Sequence, residues 1–424
     1  VKHTVKEIVL KNGLKGLVLQ IPDAPVVSLE IGFRAGEFLL ERQKWETAHI
    51  MEHLMLGANG SFATSREFQA ELEKNGAYSN ASTSAYDITY DVECAAFEAE
   101  RVIRLVVSAL ESPRFLDNEF QAEFGNVAEE LVGRSNNHFR ALNLAIREAQ
   151  GLYSVSDLER HELMKNVTRD DVENHYKATH TIQNARFILA GKVTDTCIAE
   201  LEKLSLPSGT QRLPMPQEEP RQLKQALLVV RENVPNVYFY IDTYASEQLN
   251  DHERDSLAVL STLLTETLHS KLLGAARERG LIYAMGSGQQ QLRSRSSFWL
   301  GAQVSTQNVK PLFELILSVL QDIKRSGVTA AELDAAKLYL RGRHERSAQT
   351  ATGTLAGYSG SYYFDDIIEY EDTFNERLEA VSVASIQSVV QKVTSDVWTL
   401  GVLGNCTQQE ANELRNSILP LFNS

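Results

Sequence analysis

The chain has 424 residues, 43% hydrophobic and 23% charged, which is too long for one ordinary core and apolar enough for two of about 200 residues each. Its net charge of -14 comes from intermixed acidic and basic residues with no Lys/Arg cluster, so no nucleic-acid partner is expected. No apolar run approaches the ~20 residues that cross a bilayer, and Val1-Lys2-His3-Thr4 opens on no apolar signal core, so no membrane partner is expected either.

Residues 5–10, 16–21 and 26–33 read as strands, with a turn at Asn12-Gly13. Trp45 to Leu56 then reads as a short helix: it lacks Pro and Gly, Ile50/Leu54 and Met51/Met55 fall four apart, and Gly57 is its stop. On that helix His49 and His53 stack on one face with Glu52 beside them. Two neutral imidazoles supply half of a tetrahedral zinc shell, and a neighbouring carboxylate that does not ligate is placed to take a proton from an attacking water. The order His-x-x-Glu-His is one that metallopeptidases use.

Ser65 to Lys74 reads as a helix capped by Thr64 and stopped by Asn75-Gly76, and residues 77–92 alternate as two strands. Helices follow over 97–110 and, after Pro113, over 117–146 without a break. The second carries Glu119, Glu123, Glu129 and Glu130, candidates for a third ligand. Glu123, Val127 and Glu130 share a face, and an inward carboxylate there would need a cation. A strand at 185–190 and a helix at 194–204 complete an α+β first half.

Four prolines between 206 and 223 mark a boundary, giving domains 1–206 and 224–424 joined by a linker, 207–223. The second half repeats the first in outline at an offset of about 210 residues: strands 226–230 and 237–243, helix 253–273, strands 282–286 and 298–304, helices 309–325 and 330–345, and strand 397–403. Where the first copy has its histidines, Ser256 to Thr265 is plain core, so one metal site per chain is expected. Cys94, Cys197 and Cys406 are odd in number and lack metal or redox spacing, which points to a reducing, cytoplasmic setting. The absence of an initiator Met leaves a periplasmic or secreted one open.

The run Ala48-His49-Ile50-Met51-Glu52-His53, with Glu130 and, seven residues before it, Glu123, resembles the pitrilysin and insulysin group of zinc peptidases in its half-length form. The resemblance implies one Zn2+ per chain held by His49, His53 and Glu130, with Glu52 as general base and Glu123 supporting a ligand; Glu129 is the nearest rival third ligand. Asn80-Ala81-x-Thr83 resembles the family's edge strand, which receives an extended peptide as an added strand, and so implies Asn80 and Ala81 as substrate contacts. Arg277 to Tyr283 resembles a turn whose Arg and Tyr assist the substrate. Tyr283 is thereby implied as an oxyanion donor, while the family's Arg falls on Ala276, with Arg277 one place later. The family implies two similar α+β domains and an endopeptidase that hydrolyses unfolded peptides in a dimeric chamber, built by a homodimer or a heterodimer with a related subunit. It also contains subunits that need a partner for substrate binding, and non-catalytic structural homologues.

Overall fold

A computed structural model describes residues 2–370 and 373–422. The first six strands, β1 (Thr4–Val9), β2 (Lys15–Gln20), β3 (Val26–Phe33), β4 (Tyr78–Thr83), β5 (Ile88–Ala95) and β6 (Ala185–Gly191), form a sheet in the order β1-β2-β6-β3-β5-β4. The other five, β7 (Leu227–Val230), β8 (Asn236–Tyr244), β9 (Met285–Gln291), β10 (Ser296–Ser305) and β11 (Val397–Gly404), form a second in the order β7-β11-β8-β10-β9. Set β1 aside and the two orders correspond strand for strand. Each sheet has one parallel pair, and it falls at the same place, β2 with β6 and β7 with β11. Matching strands also keep step along the chain, β3 starting at Val26 and β8 at Asn236, as an internal duplication requires.

Helices α1 (Thr47–Met55), α2 (Ser65–Leu72), α3 (Ala99–Glu111), α4 (Asp117–Ser135), α5 (His138–Gln150), α6 (Asp157–Leu163), α7 (Arg169–Thr179) and α8 (Asp195–Leu201) belong to the first half of the sequence. The second half holds α9 (Asp251–Ser261), α10 (Leu273–Glu278), α11 (Val309–Ser326), α12 (Ala330–Ser347), α13 (Ala351–Asp365), α14 (Phe374–Ala380), α15 (Val383–Val393) and α16 (Gln408–Ile418). The chain condenses into two compact units that exchange segments: one comprises residues 1–133, 157–216 and 344–371, the other 134–156, 217–343 and 372–424. Relative to the continuous spans 1–206 and 224–424, the first unit gives up α5 and takes in α13.

Both sheets have two apolar faces, and the exchanged helices cover one face each. In the first unit α13 lays Leu355, Tyr358 and Tyr362 on Leu17, Leu19 and Ile188, and the Tyr363 hydroxyl donates to the Glu30 carbonyl at 3.0 Å. In the second, α5 brings Leu142 and Ile146 onto β11, where Gly401 leaves them room: a Cβ there would stand 2.3 Å from the Ile146 side chain. The opposite face of the first sheet packs against α1, α3 and α7 in a core that includes Ile31, Ile50, Met51, Val106 and Val172.

Three elements differ from the sequence reading. The helix expected over 117–146 is broken after Ser135, because the Asn137 side chain accepts the Arg140 N–H at 3.0 Å and starts α5 afresh. The helix expected over 253–273 passes into a π-helical turn at Thr262–Glu266, and α10 resumes only at Leu273. The strand expected at 282–286 begins at Met285.

Strand β6 ends on Gly191 with φ +122°, where a Cβ would lie 2.3 Å from the Val26 carbonyl oxygen. Gly191→Ala combines a disfavoured backbone with a clash against main chain, and is expected to cost roughly 1–3 kcal/mol. A thermal melt should show this as a loss of several degrees in Tm, and an unchanged melt would contradict it.

Candidate metal centre

Helix α1 is held by apolar side chains on its buried side: Ala48, Ile50, Met51, Leu54 and Met55 all lie in the core of the first unit. Spacing of three and four residues then turns His49, Glu52 and His53 toward α4, each offering a ligand atom within 4.8 Å of the others. From α4, Glu130 Oε2 lies 3.3 Å from His49 Nε2 and 3.4 Å from His53 Nε2. For bonds of about 2.0–2.2 Å, neighbouring donors of a tetrahedral zinc shell stand about 3.3–3.6 Å apart, so these two separations fit that ion. Glu129 is exposed and Glu119 accepts the Ser65 N–H at 2.7 Å, which leaves Glu130 as the glutamate facing both imidazoles.

The far nitrogens of both rings are occupied. His53 Nδ1 is 3.0 Å from Glu123 Oε2, which Asn126 also bonds at 3.2 Å. His49 Nδ1 is 2.9 Å from Glu46 Oε2. A carboxylate on Nδ1 accepts its proton and leaves the Nε2 lone pair for a metal. Glu46 is in turn gripped by Arg160, whose Nε and Nη2 both bond it, and Nη2 also reaches Glu37 Oε1 at 2.7 Å.

Charge follows geometry. Burial alone would raise Glu46, but Arg160 and His49 outweigh it and hold the carboxyl near 2. Burial would lower His49, yet hydrogen bonds to Glu130 and Glu46 lift it to about 9. Glu123 is lowered, chiefly by the His53 hydrogen bond. Glu52 is raised by burial, against the pull of the two histidines. Arg160 answers the charge of Glu46, and the remaining carboxylates, Glu52, Glu123 and Glu130, stand with the two imidazoles as a donor set that would suit a dication.

Thr83 donates its hydroxyl to Glu52 Oε2 at 3.3 Å, which ties the cluster to β4. Among the described residues that strand pairs only with β5 and forms the end of its sheet. Asn80 is exposed there and its side chain bonds its cross-strand neighbour Asp91, while Ala81 is half-buried against the core. Tyr283 and Arg277 lie in the other unit, where they come together: the guanidinium sits 5.0 Å from the Tyr283 ring centroid and donates to its carbonyl at 2.5 Å. Tyr283 is exposed and Ala276 is buried, so a side chain at position 276 points into the core.

Glu46, Glu37 and Arg160 were not singled out in the sequence. Glu46 could have been, standing three residues before His49 on the same helical face. Arg160 is 114 residues from Glu46 and carries no local signal.

A duplicated α+β fold with a single His-x-x-Glu-His helix, set against a glutamate of its own domain, defines a zinc-protease-like chain. It belongs to peptidase family M16. Residues 18–154 match the family model described as insulinase (peptidase family M16), and residues 166–340 the one described as peptidase M16 inactive domain. The chain is 25% identical over 419 residues to the zinc protease PqqE of Helicobacter pylori, covering 95% of this chain and 92% of that protein. It is 21% identical over 391 residues to the non-peptidase homolog YmxG of the same organism, covering 87% of each. The fold is also that of the peptidase M16 inactive domain from Pseudomonas fluorescens, with a TM-score of 0.83 at 15% identity over 95% of this chain and 98% of that one. No described helix is long and apolar enough to cross a membrane.

Proposed function

We propose that the chain is a zinc-dependent endopeptidase acting on unfolded peptides. The observation that carries this reading is the convergence of His49 Nε2 and His53 Nε2 on one oxygen of Glu130, with Glu52 in the same cluster. His49, His53 and Glu130 would hold the ion, which supplies Lewis-acid polarisation of the scissile carbonyl and makes a water molecule more acidic. Glu52, raised by burial and steadied by Thr83, takes the proton from the attacking water and returns it to the leaving amine. The open edge of β4 binds the peptide as an added strand through backbone hydrogen bonds, which tolerates many side chains. Asn80 and Ala81 are its contacts, and Tyr283 is the oxyanion donor. A second copy or a related subunit completes a chamber that excludes folded proteins.

The buried Ala276 favours a second reading, in which a related subunit supplies the missing arginine. The test is cleavage of a mixed set of unstructured peptides by the zinc-loaded chain alone, repeated after chelation and after zinc is restored. Cleavage lost and regained with zinc is the expected result. A zinc-loaded chain that cuts nothing alone, but cuts with a related subunit, supports the second reading; no cleavage in either case overturns the peptidase.

A further inference from the structure

Beneath His49 lies a chain of buried polar groups that the mechanism above does not use. Glu46 is 0% exposed, Arg160 6% and Glu37 6%, all in the first unit, and each is bonded to the next. Three charges at such depth are costly unless each is satisfied, and removing one partner strands another. A hydrophobic packing of the same volume would serve stability as well, so the arrangement calls for a task beyond stability.

We propose that Arg160 is a positioning residue for the metal: by fixing both oxygens of Glu46 and bracing against Glu37, it holds Glu46 as the acceptor of the His49 Nδ1 proton and presents Nε2 toward the ion. The inference rests on the zinc reading of the site. The guanidinium fork is the part that matters. It engages Glu46 through two nitrogens and reaches Glu37 with one of them, leaving the carboxylate a single orientation in which Oε2 meets His49 at 2.9 Å. His53 has a simpler support, Glu123 on α4, itself partly exposed and bonded to Asn126. The two ligands on one helix are thus oriented by separate devices, and the buried one depends on α6, the helix that carries Arg160.

A lysine at 160 keeps the charge but cannot form the fork, so Arg160→Lys leaves Glu46 free to turn. Its zinc affinity, read by chelator competition, is expected to fall about 10- to 100-fold, as is that of Glu46→Ala. Because Arg160 acts through Glu46, adding Arg160→Lys to Glu46→Ala is expected to lower affinity no further. Cobalt-substituted wild type and Arg160→Lys should differ in their visible spectra, which report ligand geometry and which a purely structural residue would leave unchanged. Zinc affinity within twofold of wild type in both single variants, or losses that add in the double variant, would overturn the proposal. Should Arg160→Lys fail to fold, Glu46→Ala, which keeps the Arg160–Glu37 pair, decides alone by its zinc affinity. A wild type that binds no zinc instead removes the metal reading itself, an outcome distinct from a wild type that binds zinc no better than its variants.

Discussion

Glu52→Gln is expected to keep zinc and lose cleavage, whereas His49→Ala is expected to lose both. The contrast follows from where each side chain sits. His49 is 2% exposed and its Nε2 faces Glu130 at 3.3 Å, so replacing it removes one of the three proposed donors and leaves Glu46 and Glu130 without the group they share. Glu52 touches Thr83, and an amide of the same shape keeps that hydrogen bond. What the amide cannot do is accept a proton, and a positioned general base contributes about 10²–10⁴-fold to rate. The readouts are zinc per chain after dialysis and initial rates on unstructured peptides. Wild-type rates from Glu52→Gln, or zinc retained at full affinity by His49→Ala, would remove the assignment.

The His-x-x-Glu-His helix is legible in the sequence because its information is local. His49, Glu52 and His53 are placed by helical periodicity alone, while periodicity on α4 leaves four glutamates open and the resemblance to the family singles out Glu123 and Glu130. The succession of strands and helices along the chain is legible for a related reason: β1 aside, the second half repeats the first in outline, so most elements are announced twice. Other features depend on groups distant in the chain. Arg160 meets Glu46 across 114 residues, and nothing around Arg160 marks it as different from any arginine on an amphipathic helix. The break between α4 and α5 turns on one hydrogen bond, from the Arg140 N–H to the Asn137 side chain, in a stretch whose helical propensity is otherwise continuous. That break matters, because it releases α5 to cover a different sheet.

A fragment ending at residue 216 is expected not to fold on its own, although it contains every residue of the proposed metal cluster. Without α13 the first sheet loses the cover over Leu17, Leu19 and Ile188, each now 0% exposed. Exposing such a side chain costs roughly 1.5–3 kcal/mol, so three of them forfeit about 5–9 kcal/mol, comparable to the whole stability of a typical domain of 5–15 kcal/mol. The pair of Arg186 with Asp366 goes too, leaving a buried guanidinium without its carboxylate. Co-expression with residues 217–424 returns α13, and the first fragment returns α5 to the second sheet, so each piece carries a helix the other requires. The expected result is a lone fragment that is insoluble or binds a hydrophobic dye and has no cooperative melt, and a co-expressed pair that purifies together and melts cooperatively. A soluble, cooperatively melting 1–216 fragment would mean that the face covered by α13 does not decide stability, and that the helix exchange is an accident of chain routing.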